Sequence, residues 1–177
     1  SKAVAASFCV TAPTVSAHAY LQDLSTIIAR EEVDLVVPIS EEILHVSALH
    51  DKTRAKIFAM PQETLLRVHD KAEFADLAAS LDLTAPATAL SQDRETAQAL
   101  AASQDFITKP RHSCAGAGVK LRRKGDPIPA GADSLVQQRI TGEEQSTCAL
   151  AHEGVLRACV TYRGALMSGT VAVRFER

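Results

Sequence analysis

The chain reads as an α/β protein that passes to α+β in its second part. Three observations predict this. An amphipathic pattern over residues 17–30 runs straight into the β-branched stretch Val33-Asp-Leu-Val-Val37, the texture of a helix feeding a buried parallel strand. Asp70 and Glu73 stand in a capping relation ahead of another helix, after a change of texture near residue 68. From Phe106 onward, short apolar strands separated by glycine turns dominate.

In order, residues 4–10 are an apolar strand candidate, and Thr11-Ala-Pro-Thr14 is the turn beyond it. Ala17, Tyr20, Leu21, Leu24, Ile27 and Ile28 recur at helical spacing as far as Arg30, with Ser16 placed to cap the first turn. Pro38 ends the strand over residues 33–37. Ser40-Glu41-Glu42 then sets carboxylates at the positive end of a helix reaching about Leu49. Helix capping accounts for that trio, and so does a ligand at the strand's edge. A strand at Lys56-Ile57-Phe58 completes a β-α-β-α-β order, which right-handed crossovers would turn into a small parallel sheet.

Past Met60-Pro61 a helix is expected from Lys71, with Phe74, Leu77, Ala78 and Leu81 as its apolar face and Asp82-Leu-Thr84 as its stop. Pro86 begins a strand to Leu90, and Ser91 caps a helix through about Ala102. In the strand Phe106-Ile-Thr-Lys109, alternation buries Phe106 and Thr108 and sends Ile107 and Lys109 to the other side. Further strands are expected from Ser134, over residues 146–151, 155–162 and 167–175, with turns at Glu153-Gly154 and Arg163-Gly164. The domains are therefore drawn as residues 1–68 and 69–177.

Composition limits the function. The 177 residues suffice for one full core or two small ones. With 19 basic and 21 acidic residues and a net charge of -2, the chain shows neither a nucleic-acid footprint nor a face for a membrane surface. No apolar run approaches the roughly 20 residues that a membrane helix needs. Cys9, Cys114, Cys148 and Cys159 lack C-x-x-C spacing, which speaks against a disulfide framework or zinc knuckle and fits a reducing cytoplasm. The histidines form no metal-binding motif, so no metal ligand is assigned. The first residue, Ser1, and the strand pattern at the other end read as a fragment of a longer protein.

Three stretches carry chemistry. Lys109 ends its strand, and the loop from Ser113 through Gly116 to Gly118 has side chains small enough for the backbone to adopt positive φ and turn N–H groups to an anion. Here the lysine precedes the glycines and a strand follows, the reverse of a Walker-type phosphate loop; an ordinary surface turn is the alternative. Lys71 lies in a first helical turn, where a cation opposes the macrodipole unless it reaches an anion, although exposure keeps that cost to about 0.3–1 kcal/mol. In the third stretch, residues 134–146, the segment connecting two strands can offer backbone N–H and C=O groups to a flat heterocycle, and a carboxylate one turn later can accept two hydrogen bonds from a ribose diol. A β-turn with solvated glutamates is the alternative there. Cys114 reads as a small filler of its loop, and no side chain is assigned as a catalytic nucleophile.

In this order, Asp70-Lys71 opening a helix, Ile107-Thr108-Lys109-Pro110 with its Ser/Gly/Ala loop, and Leu135-Val-Gln-Gln-Arg-Ile-Thr-Gly-Glu-Glu144 resemble the ATP-grasp superfamily. Within it the chain is most similar to the carbamoyl-phosphate-synthase-like and carboxylate–amine ligase branch. Residues 1–68, above all Asp34-Leu-Val-Val-Pro-Ile-Ser-Glu-Glu42, resemble the later part of a Rossmann-like pre-ATP-grasp domain. Residues 69–177 resemble the N-terminal and central part of an ATP-grasp domain, incomplete at its end.

The resemblance implies that Lys71 and Lys109 contact ATP phosphates and that Ser113, Gly116 and Gly118 belong to a loop closing over them. It makes Gln137, Gln138 and Ile140 the hinge that meets adenine and gives the ribose to Glu144. Gln137-Gln138 stand where many relatives carry a glutamate. It implies Mg2+ as well, with the acidic and asparagine ligands expected beyond Arg177. The reaction implied is ATP-dependent carboxylate–amine ligation through an acylphosphate, in the cytoplasm, on substrates the sequence does not name; a homodimer is left open. Without the magnesium ligands this chain alone is expected to be inactive. The alternatives are a non-catalytic or degenerate nucleotide-binding module, and an α/β protein whose glycine loop binds nothing.

Overall fold

The computed structural model describes residues 4–114, 116–129, 133–168 and 171–176. The chain divides into two compact units, Ser1–His69 and Asp70–Arg177. Helices and sheets are mixed in both, the α+β texture that the patterning predicts.

In the first unit, α1 (Ala17–Arg30) begins where expected: Ser16 is extended and its Oγ accepts the Ala19 N–H at 3.1 Å, a cap worth about 1 kcal/mol. Tyr20 and Ile28 from its inner face join Val46, Leu49, Ala55 and Ile57 in one buried cluster. β1 (Leu35–Val36) pairs in parallel with β2 (Lys56–Ile57). The expectation of a strand buried on both faces is corrected here, since Leu35 and Val37 are half exposed; two strands present a second face that nothing in the unit's core covers.

Residues 4–10 form no strand either. Their contacts come from side chains instead: the Phe8 ring lies 5.0 Å from the Arg30 guanidinium, Val10 leans on the core cluster, and the Thr11 N–H donates to Asp23 Oδ2 at 2.7 Å. The next helix is a single turn, α2 (Ile43–Val46), extended by a 3-10 turn Ser47–Leu49. Its capping is not by the Ser40 side chain. Glu42 turns its carboxylate back to accept the N–H groups of Ile39 and Ser40 at 2.8 and 3.1 Å, which lowers its pKa through those bonds and accounts for the acidic trio without a ligand. The unit closes with α3 (Gln62–His69), a helix the sequence pattern did not announce; Leu65 anchors it, and Gln62 Nε2 donates to the Leu44 carbonyl at 2.9 Å.

In the second unit, α4 (Lys71–Ser80) starts at the predicted residue, with Asp70 Oδ1 accepting from the N–H groups of Ala72 and Glu73. Its apolar face is thinner than the spacing suggests: Ala78 is buried, but Phe74 and Leu81 are largely exposed. β3 (Thr88–Leu90) leads to α5 (Arg94–Ser103), capped by Asp93 and not by Ser91. Ser91 is buried and spends its hydroxyl on Ser134 Oγ at 2.7 Å.

β4 (Phe106–Pro110), β5 (Lys120–Arg122) and β6 (Ser134–Gln138) complete a four-stranded sheet in the order β3-β6-β4-β5, antiparallel throughout. One face packs on α5: Phe106, Val136 and Ala89 form a cluster with Ala97, Leu100, Ala101 and Ile128. Full burial of Phe106 alone is worth roughly 1.5–3 kcal/mol. Alternation then turns Ile107 and Lys109 to the opposite face, as predicted.

A second sheet, β7 (Ser146–His152), β8 (Val155–Ser168) and β9 (Val171–Glu176), is a meander. Glu153 and Gly154, both at positive φ, make the tight turn between β7 and β8. The turn expected at Arg163-Gly164 does not exist. β8 continues through both residues, and the glycine sits at a register irregularity against β9 instead. Residues 169–170 of the last expected strand lie outside the described residues.

Candidate functional site

The candidate functional face is the side of the four-stranded sheet turned away from α5. Register sets its contents. Ile107 lies opposite Gln137, Gln137 opposite Thr88, and Lys109 opposite Leu135, so Lys109, Gln137 and Thr88 share one face. A polar chain crosses them: Lys109 Nζ donates to Gln137 Oε1 at 2.8 Å, Gln137 Nε2 donates to Thr88 Oγ1 at 2.7 Å, and the Thr88 hydroxyl donates to the Pro86 carbonyl at 2.8 Å. An ammonium has three donors; Lys109 is aimed by one bond and keeps two.

Burial, and after it the positive charge of Lys71, holds the Lys109 pKa below its ordinary 10.5. The two lysines thus feel each other, and an anion placed between them would relieve both the desolvation and the repulsion. Lys71 arrives from the start of α4. Its Nζ donates to the Ser113 carbonyl at 2.6 Å and the Arg111 carbonyl at 3.4 Å. The expected phosphate ligand is therefore already moored to the first residues of the glycine loop, through the backbone of Ser113 and not its hydroxyl.

The loop joins β4 to β5 as a hairpin. Gly116 and Gly118 take φ of 73° and 75°, and a Cβ on Gly118 would stand 2.7 Å from Cγ of Pro110, so that position admits only glycine without displacement. The Ala117 and Val119 N–H groups fold back to the carbonyls of Cys114 and Gly116. His112, Cys114 and residues 116–118 are exposed, while Ser113 is partly covered; Ala115 lies outside the described residues.

The third stretch is brought less fully into the site. The Gln138 N–H donates to the Ala87 carbonyl at 2.8 Å, the Gln138 Oε1 accepts from the Ala87 N–H at 3.2 Å, and the Arg139 N–H donates to the Asp105 carbonyl. These groups serve the sheet edge. Ile140 is 63% exposed and its N–H makes no hydrogen bond among the described residues. Glu144 is exposed, with no contact to the lysines, and the neighbouring Glu143 is paired with Arg163 at 2.9 Å.

Asp70, which the sequence reading takes as a helix cap, and Arg111, which it gives no role, stand at the centre. Asp70, 5% exposed, accepts from Arg111 Nε at 2.6 Å on Oδ2, with Arg111 Nη2 paired to the same oxygen at 2.6 Å, while Oδ1 caps α4. The Arg111 bonds, reinforced by the capping N–H groups, bring the Asp70 pKa down from 3.8 to about 2 against the opposing effect of burial. The Arg111 pKa is in turn raised above its ordinary value by that carboxylate. His112 Nε2 lies 3.4 Å from Asp70 Oδ2 and its Nδ1 lies 3.6 Å from Asp133 Oδ2. The available signal was that these charged residues flank both lysines in the sequence.

Among the described residues, no three His, Cys, Asp or Glu side chains gather into a group that could hold a metal ion. No helix among them is long and apolar enough to cross a membrane. A family model described as an ATP-grasp domain matches residues 68–166, more than half of the chain and all the elements that carry the lysines, the hairpin and the edge of β6. None of the curated proteins matches the sequence.

Proposed function

The chain belongs to the ATP-grasp family, whose domain brings ATP binding and ligase-type function, and from that premise we propose that residues 70–177 hold ATP on the open face of the β3-β6-β4-β5 sheet. The observation that carries this reading is the convergence of two cations beside the glycine hairpin: Lys109 partly desolvated on β4, Lys71 moored to the Ser113 carbonyl. The triphosphate lies against them, with Ser113, Gly116 and Gly118 in the loop above it. Adenine meets the segment from Gln137 to Ile140. With the Gln138 and Arg139 N–H groups committed to the sheet edge, the Ile140 N–H is the donor left for it. Glu144 takes the ribose hydroxyls. Residues 1–68 are read as the later part of a pre-ATP-grasp domain.

Domains of this family bind ATP with Mg2+ in general. Among the described residues no three His, Cys, Asp or Glu side chains gather to hold a metal ion by themselves. The reaction proposed is carboxylate activation. A carboxylate oxygen of the substrate bonds to the γ-phosphorus as the bond to the β-bridging oxygen breaks, releasing ADP and leaving an acylphosphate. An amine nitrogen then bonds to the acyl carbon, inorganic phosphate leaves with the C–O bond's electrons, and the amine loses a proton. The protein's share is orientation and charge neutralisation, which need no protein nucleophile.

Isothermal calorimetry with ATP tests the binding. Lys109→Ala removes a charge-assisted contact worth roughly 1.5–3 kcal/mol, an affinity loss of about 10- to 100-fold; an unchanged affinity in the variant refutes the assignment. Hydroxylamine trapping separates the two outcomes beyond binding: hydroxamate formation supports the ligase, and tight ATP binding with no hydroxamate from any carboxylate offered leaves a nucleotide-binding module.

A further inference from the structure

We propose that Asp70 and Arg111 are a positioning pair: together they hold Lys71 and the stem of the glycine hairpin in place, and so act on the nucleotide without touching it. The inference rests on the ATP-binding reading above. It begins from how one carboxylate is divided. Asp70 Oδ1 caps α4 through the N–H groups of Ala72 and Glu73, and Oδ2 accepts from Arg111 Nε and is ion-paired with Arg111 Nη2, both at 2.6 Å. One side chain therefore ties the first turn of α4 to the residue that immediately follows β4.

Arg111 passes that tie on through its backbone. Its carbonyl accepts from both the N–H and the Nζ of Lys71 at 3.4 Å, and its N–H donates to the Asp133 carbonyl at 3.1 Å. The second Lys71 contact, to the Ser113 carbonyl, lies two residues further along. Moving Arg111 thus moves both oxygens that aim Lys71. Lys109 sits two residues before Arg111 on the same strand end, so the pair spans the two lysines. Neither partner belongs to the apolar cluster beneath the sheet, which leaves that cluster's packing intact when the pair is cut.

Charge gives the pair a second effect on phosphate. With Arg111 in place, the Asp70 carboxylate is neutralised where it stands beside Lys71. Without Arg111, a buried carboxylate loses its guanidinium partner close to the proposed phosphate site while the capping N–H groups and His112, 3.4 Å away, remain, and removing one partner of such a pair is worse than removing both.

The test uses the whole chain, with hydrogen exchange read at residues 111–118 without nucleotide and ATP affinity read by calorimetry. Asp70→Asn retains an Oδ1 able to cap α4 and puts an amide N–H2 where Oδ2 accepts from Arg111, so the charge and the bond to Arg111 are lost together. Asp70→Asn and Arg111→Met should each speed exchange in the segment about tenfold, and the double variant should match either single one because the pair acts as a unit. Arg111→Met should weaken ATP about tenfold, and adding Asp70→Asn should return part of that affinity, a recovery that simple loss of structure would not give. Unchanged exchange at 111–118 in the single variants overturns the pair. So does unchanged ATP affinity in Arg111→Met while Lys109→Ala abolishes binding. Should Lys109→Ala leave ATP binding untouched, the nucleotide assignment fails by itself, and the exchange arm still decides whether the pair holds the hairpin.

Discussion

The two sheets of the second unit are built from similar ladders and differ in what lies beneath them. In the β3-β6-β4-β5 sheet, Phe106, Leu135 and Val136 are fully buried, and α5 covers the face that holds Phe106 and Val136. In the β7-β8-β9 sheet, nearly every side chain described is exposed, including Leu150, Val155, Leu156, Leu166, Val173 and Phe175. Its local ties are the edge-to-face pair of Tyr162 and Phe175 at 5.1 Å, the facing hydroxyls of Thr147 and Thr161, and the Glu143–Arg163 ion pair. Paired hydrogen bonds make a sheet, and a covered face makes it stiff. The candidate nucleotide site draws its rigidity from the first kind of sheet and shares no described side-chain contact with the second.

The largest expected effect breaks this comparison at its strongest point. Phe106→Ala should destabilise the second unit by about 3–5 kcal/mol, whereas Phe175→Ala should cost within about 1 kcal/mol; urea unfolding of the two variants compares them directly, and equal losses would mean the second sheet has a covered face. The next effect sharpens the electrostatic side. Asp70 titrates lower when folded than its ordinary 3.8, so its contribution is present above about pH 4 and is lost as pH falls towards about 2. That contribution is about 2 kcal/mol, and Asp70→Asn should flatten this part of the pH–stability profile. A smaller effect lies in the hairpin. Gly118→Ala places a methyl group against the Pro110 ring at positive φ, and should cost about 1–2 kcal/mol and weaken ATP, read by thermal melting with and without nucleotide.

Much of the scaffold was legible where the deciding interaction is local. Ser16 and Asp70 cap helices through bonds two or three residues away, and alternation placed Lys109 on the face away from Phe106. Where a distant partner decides, the pattern misled. Ser91 and Asp93 are equally good caps by residue type, and the choice falls to Asp93 because Ser134, across the sheet, engages Ser91. Residues 4–10 are apolar enough for a strand, but apolarity supplies no pairing edge, and residues 4–9 remain exposed. The Arg163-Gly164 dipeptide looks like a turn, yet β8 runs through it against β9. Asp70 and Arg111 lie 41 residues apart; no periodicity links two charges that meet only after the sheet has formed.

The exposed hairpin carries a chemical tag of its own. Cys114 is exposed within it, and Cys148 and Cys159 are exposed in the second sheet. Alkylation by a maleimide therefore compares a thiol in the loop proposed to cover the phosphates with two thiols in the β7-β8-β9 sheet. ATP should slow modification of Cys114 several-fold and leave the other two unchanged, so one mass spectrum of the labelled chain reports closure of the loop with its control built in.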